Sequence, residues 1–118
     1  MDGDYIKVFR KLEKWEWYKC PPVKDLFIHF LIRANWKDGR FEGKEIKRGQ
    51  FVTSIKHLTF ETGLTNKQIR TAINKLKLSG EITTKTTNKY TVITIENYAL
   101  YQDVSEEEGK ERAKKGQQ

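Results

Sequence analysis

Cysteine is almost missing from this chain of 118 residues, which contains Cys20 alone. No intrachain disulfide can form, and the absence of paired cysteines fits a reducing compartment, so a cytoplasmic setting is expected. Proline occurs only as Pro21-Pro22, so the chain has one built-in boundary of that kind. No apolar run approaches the roughly 20 residues needed to cross a bilayer. The start Met1-Asp2-Gly3-Asp4 has neither a basic nor an apolar signal region, and neither membrane insertion nor export is expected. The two histidines, His29 and His57, are separated by 28 positions, with no Cys or second His at ligand spacing, which supports neither a metal site nor a nucleophile–base pair. Gly43-Lys44-Glu45 lacks the glycine-rich lead-in and the Ser/Thr of a phosphate-binding loop. These gaps together predict a protein without catalysis, metal or cofactor.

What the chain does have is positive charge, with a formal net of +7. Residues 103–118 are close to neutral, so the basic excess belongs to residues 1–102. A basic fold suggests a polyanionic partner, although lysine-rich solubility produces the same sum. The length suits one domain with one core, read as residues 1–102, followed by a charged tail over 103–118. That tail has almost no apolar content; Ser105 and Glu108 form a capping box and Glu106/Lys110, Glu108/Arg112 and Glu111/Lys115 are four apart, which predicts a solvated helix or a linker.

Periodicity orders the rest. Tyr5 to Tyr18 keeps no single period and is left unassigned. After Pro21-Pro22, the residues Val23, Leu26, Phe27, Phe30, Leu31 and Ala34 recur at steps of three and four, which predicts a helix to about Asn35. Asp38-Gly39 and Gly43 punctuate a loop, and Phe51-Val52-Thr53 reads as one strand. Ser54 is placed to cap a short helix that Gly63 stops. Thr65-Asn66-Lys67-Gln68 matches a capping box, opening a helix whose buried side is Ile69, Ala72, Ile73 and Leu76 and whose stop is Ser79-Gly80. Glu81 to Thr86 and Tyr90 to Ile95 then read as a hairpin turning at Thr87-Asn88-Lys89.

Helix, strand, short helix, turn, capped helix, hairpin is the order of a winged helix-turn-helix, an α+β fold with a three-helix core and a small antiparallel sheet. In that arrangement the helix from Asn66 to Ser79 presents its outward face to the major groove of double-stranded DNA. That face reads Lys67, Arg70, Thr71, Asn74 and Lys75, with Asn66 at its start. Arg can donate bidentately to guanine, Asn can pair with adenine, Thr can meet a thymine methyl, and Lys neutralises phosphate. Between Gly63 and Tyr90 six basic residues face Glu81 alone, whereas an ordinary solvated helix face mixes signs. Lys85 and Lys89 flank the hairpin tip, where a wing follows the backbone or enters the minor groove, and Thr86, Thr87 and Asn88 add neutral groups suited to phosphate oxygens; plain β-propensity explains the threonines equally well. Trp15, Trp17, Tyr18 and Trp36 form a second feature, beside Lys14 and Lys19. Stacking on unpaired bases, core packing, and a surface for a homodimer or higher oligomer made by Trp15, Trp17 and Tyr18 are all compatible with their types.

The runs Trp15-Glu16-Trp17-Tyr18, Leu26-Phe27-Ile28-His29-Phe30-Leu31-Ile32-Arg33-Ala34-Asn35, Lys47-Arg48-Gly49-Gln50 and Thr86-Thr87-Asn88-Lys89-Tyr90-Thr91, with Tyr101-Gln102, resemble the N-terminal winged-helix domain of phage replisome organisers and DnaD-like primosome proteins. The resemblance spans about residues 5–102. It implies a role in starting phage or mobile-element DNA replication, self-association through this domain, and handover to a helicase loader. Longer members of that family carry a second helical DNA-binding domain after the linker, and this sequence stops at Gln118. A stand-alone transcriptional regulator, or a protein-binding adaptor or inhibitor on the same scaffold, is the alternative expectation.

Overall fold

The computed structural model describes residues 5–35 and 37–102, so the tail reading over 103–118 and the place of Trp36 lie outside the described residues. The architecture is α+β. A 3₁₀ turn at Arg10–Lys14 leads to α1 (Pro21–Arg33), a hairpin of β1 (Gly39–Phe41) and β2 (Lys44–Ile46), β3 (Gln50–Thr53), α2 (Ile55–Thr62), α3 (Asn66–Leu78), the hairpin β4 (Ile82–Thr86) and β5 (Thr91–Ile95), and a short α4 (Tyr98–Gln102). Among the described residues no helix is long and apolar enough to cross a membrane.

The helix boundaries follow local chemistry. Pro21 and Pro22 occupy the first turn of α1, where the missing N–H groups have no intrahelical partner to lose. Its predicted stripe is buried, but the helix ends at Arg33 rather than near Asn35. Ala34 is extended, and Asn35 exchanges backbone hydrogen bonds with the β3 entry instead: its N–H donates to Gln50 O (3.0 Å) and its carbonyl accepts from Gly49 N (2.8 Å). Ser54 Oγ accepts from His57 N (3.1 Å) at the start of α2, and Gly63 closes it in the left-handed region at φ 77°. Both bonds of the capping box on α3 are present, Thr65 Oγ1 accepting from Gln68 N (3.1 Å) and Gln68 Oε1 accepting from Thr65 N (2.9 Å).

The sheet has the order β3-β5-β4, all antiparallel. Its helix-facing side combines Phe51 on β3, Ile93 and Ile95 on β5 and Ile82 on β4 with the stripes of α1 and α3, and Leu58 of α2 completes the core. Ile73, expected in that core, is only half-buried, because it lies on the side of α3 that turns from the core toward β4 and β5.

The β1–β2 hairpin occupies what reads as loop in sequence. Its turn is Glu42-Gly43, both at positive φ (49° and 80°), the geometry that matches the twist of a two-residue hairpin. Its strands are three residues long and bury only Ile46, so no periodicity announces them. The hairpin leans on the tip of β4–β5 through Phe41 and Tyr90, whose ring centres are 5.3 Å apart and nearly perpendicular. The N-terminal segment is tied down from both ends of the chain. Gln102 of α4 accepts from Lys7 N (2.8 Å) and donates to Lys7 O (3.1 Å), while Trp15 packs on Phe27 of α1 with ring centres 5.1 Å apart. Gly49 allows α4 to close, since at its φ of 85° a Cβ would sit 2.8 Å from Tyr98 Cβ.

Candidate nucleic-acid interface

With Ile69, Ala72 and Leu76 buried, the 3.6-residue period divides the remaining positions of α3 into three strips. Lys67, Thr71, Asn74 and Leu78 point outward, and Leu78 is 88% exposed. Arg70 and Lys77 lie on the flank toward the β4–β5 hairpin, with Asn66 one turn before Arg70. Gln68 and Lys75 lie on the flank toward α1.

The hairpin-side flank forms one wall of a groove of about 410 Å³, lined there by Arg70, Asn74 and Lys77. Asn66 Oδ1 accepts from Arg70 Nε (2.6 Å), which holds the guanidinium in place and leaves both terminal amino groups for a ligand. The other wall is the inner face of the sheet. Paired strand residues share a face, so the rows run Ile82–Ile95, then Thr84–Ile93–Phe51, then Thr86–Thr91–Thr53. The face therefore changes from isoleucine in the core to threonine beyond it, and Thr53, Ser54, Thr84, Thr86 and Thr91 line the groove. No carboxylate lines it. Two cations, one of them held by Asn66, an amide and a bank of hydroxyls form a surface suited to the oxygens of a phosphodiester backbone.

The remaining sequence-predicted residues separate. Lys75 lies on neither the outward strip nor the hairpin-side flank: it is half-buried, with Nζ 3.8 Å from Cys20 Sγ and 5.5 Å from the Trp17 ring centre. Lys85 shares the sheet's outer face with Val92 and borders a different groove, between the two hairpins, with Lys44, Thr83 and Tyr90. Thr87 organises the turn itself, its hydroxyl accepting from Lys89 N and Tyr90 N and donating to Tyr90 O. Asn88 and Lys89 are exposed at the tip. Lys77, Thr84, Thr91 and Ser54 join the groove without having been singled out for it, and Thr86, read as a phosphate contact at the hairpin tip, lines it too. The signal for Thr84 and Thr86 was available in their alternation with Ile82 on one strand face, and for Lys77 in its seven-residue offset from Arg70.

Trp15, Trp17 and Tyr18 are half-buried and have intramolecular contacts. The indole of Trp15 donates to Glu81 Oε1 (3.0 Å) and that of Trp17 to Ser79 Oγ (2.9 Å), so the N-terminal segment clasps the residues that follow α3. Lys24 Nζ sits 4.4 Å from the Tyr18 ring centre. The histidines also separate. His29 lies 3.0 Å from Glu61 Oε1, joining α1 to α2, and Arg33 lies 3.7 Å from Oε2; the hydrogen bond with His29 and, after it, the Arg33 charge hold the Glu61 carboxyl below the ordinary carboxylate range. Among the described residues no group of three or more His, Cys, Asp and Glu is placed to hold a metal ion. Comparison of the chain with protein-family models, with curated proteins and with solved structures returned no match.

Proposed function

We propose that this chain is a winged-helix module that binds double-stranded DNA. The observation that carries the reading is the carboxylate-free groove between α3 and the β4–β5 hairpin, with Arg70 and Lys77 on one wall and threonine hydroxyls on the other. In this reading α3 enters the major groove and its outward strip of Lys67, Thr71 and Asn74 meets base edges, with Leu78 available to a thymine methyl. One sugar–phosphate strand runs between α3 and the hairpin, held by Arg70 and Lys77, and Asn88 and Lys89 at the tip follow the backbone beyond it. Arg70 is accordingly a backbone contact, and Asn74 is the principal base reader.

The test is a titration on random and native-locus duplexes over a range of salt. About four to six phosphate contacts give a log–log slope near −4 to −5. Replacing Asn74 with Ala flattens sequence preference, whereas Lys89→Ala weakens all sequences alike. A salt slope near zero overturns the reading. The narrower function, initiation of phage or mobile-element replication with handover to a helicase loader, draws on the resemblance of the Trp-Glu-Trp-Tyr and Thr-Asn-Lys-Tyr runs. Footprinting across the encoding locus tests it: protection at a replication origin supports it, and protection confined to the gene's own promoter replaces it with a regulator.

A further inference from the structure

A second groove lies between the N-terminal segment and α1 and shares no lining residue with the first. It encloses about 370 Å³ over a floor of Phe9, Leu12, Trp15, Phe27, Ile28 and Leu31. Val8 stands on its wall and is 53% exposed, so the groove is open to solvent. Its edge is set by the 3₁₀ turn. A period of three residues aligns Lys11 with Lys14 in one row and Leu12 with Trp15 in the next, which places two cations along the margin of an apolar floor. The one carboxylate on the lining, Glu81, is already engaged by the Trp15 indole and the Ser79 hydroxyl. Lys11, whose Nζ lies 5.7 Å from the Phe9 ring centre, and Lys14 are both exposed, so the margin sets two cations against that one carboxylate.

We infer that this groove is a docking site for an acidic amphipathic helix of a partner protein, with apolar residues at i, i+3 or i+4 and i+7 on the floor and carboxylates beside Lys11 and Lys14. The walls decide the form of the occupant. They are α1, the 3₁₀ turn and the short stretch before it, where Gln102 engages the Lys7 N–H and carbonyl and Leu12 N donates to the Phe9 carbonyl, so an extended peptide has no free ladder to join. The charge decides its sign. A second copy of this chain, at net +7, would bring one lysine row against another in a two-fold contact, where like charges disfavour association. Because the two grooves are disjoint, the site stands apart from the DNA reading and can be filled with the other groove occupied.

The experiment uses the full chain and a fluorescein-labelled synthetic 18-residue helix with leucine at the i, i+3, i+4, i+7 positions and glutamate elsewhere, read by anisotropy. A counterpart with lysine for every glutamate, and laurate as an apolar anion too small to be a helix, are the comparison probes. The acidic helix is expected to bind at least about tenfold more tightly than the lysine counterpart, and Lys11→Glu with Lys14→Glu to reverse that order. Val8→Asp, at an exposed position, is expected to weaken the acidic helix about fivefold or more, with circular dichroism and melting showing both variants folded. Affinity unchanged by saturating duplex supports the disjoint sites. The proposal is overturned if neither helix binds, if laurate binds and the helices do not, or if the variants leave binding unchanged. It is equally overturned if the wild type sediments as a dimer that Val8→Asp dissociates, since a second copy then fills the groove. Loss of DNA binding with helix binding retained would remove the reading above and leave this one standing.

Discussion

On one flank of α3 the Lys75 ammonium is packed between Cys20 and the Trp17 ring, while on the other Arg70 and Lys77 line an open groove against threonine hydroxyls. Residue type and local sequence are nearly the same; what differs is the neighbour. The N-terminal segment, which clasps Ser79 and Glu81 through two indoles, covers the first flank, and the hairpin stands off from the second. Cationic content alone is thus a poor guide to a nucleic-acid face. A cation that stacks on a ring and has its stem covered contributes to the fold, and one with open solvent before it is available to phosphate.

The two flanks share one buried ridge, and damage there has the largest effect. Leu76 is fully buried, and Leu76→Ala should lower the stability by about 2–5 kcal/mol in urea unfolding, erasing the distinction because both flanks lose their support. A direct measurement of the difference comes next. Arg70→Ala should cost about 1–3 kcal/mol of DNA affinity on every sequence and reduce the salt slope by about one, while Lys75→Ala should stay within about 0.5 kcal/mol. Equal losses for both, measured by the same titration, would show that Trp17 does not withhold Lys75 from the duplex.

Thr65→Ala acts on one end only. Loss of the cap should cost about 1 kcal/mol and fray the turn that carries Lys67 and Arg70, leaving the indole-clasped end of α3 in place. Hydrogen exchange along α3 reads the asymmetry. The smallest effect is a control lying off both flanks. Glu61 has a folded-state pKa below its unfolded value, so its contribution to stability is present above about pH 4.5 and is lost as the pH falls through the lower folded value. Glu61→Gln should therefore reduce the acid-side fall in stability while leaving DNA affinity at neutral pH unchanged, as melting curves between about pH 3 and 6 and one titration would show.

Several elements were legible because the interactions that make them span three or four residues. The Thr65–Gln68 box, the Ser54 cap, the Gly63 stop and the stripe from Val23 to Leu31 all belong to that class. The β4–β5 hairpin was legible through its alternating β-prone residues. The β1–β2 hairpin was not, since three residues per strand, with Phe41 and Ile46 the one large apolar side chain of each, give no period and its turn residues read equally well as loop. Lys75 reads as outward in sequence but lies on the flank toward α1, because a helical wheel separates buried from outward positions but does not say which flank another segment will cover.

Backbone hydrogen bonding and side-chain period are local, so the three longer helices, the caps of α2 and α3, the later hairpin and the outward strip of α3 follow from the sequence. Which cations stay open is set by tertiary packing. That choice depends on contacts such as Trp15 with Glu81, Trp17 with Ser79 and Lys7 with Gln102, between residues 66, 62 and 95 positions apart, whose geometry no short-range pattern encodes.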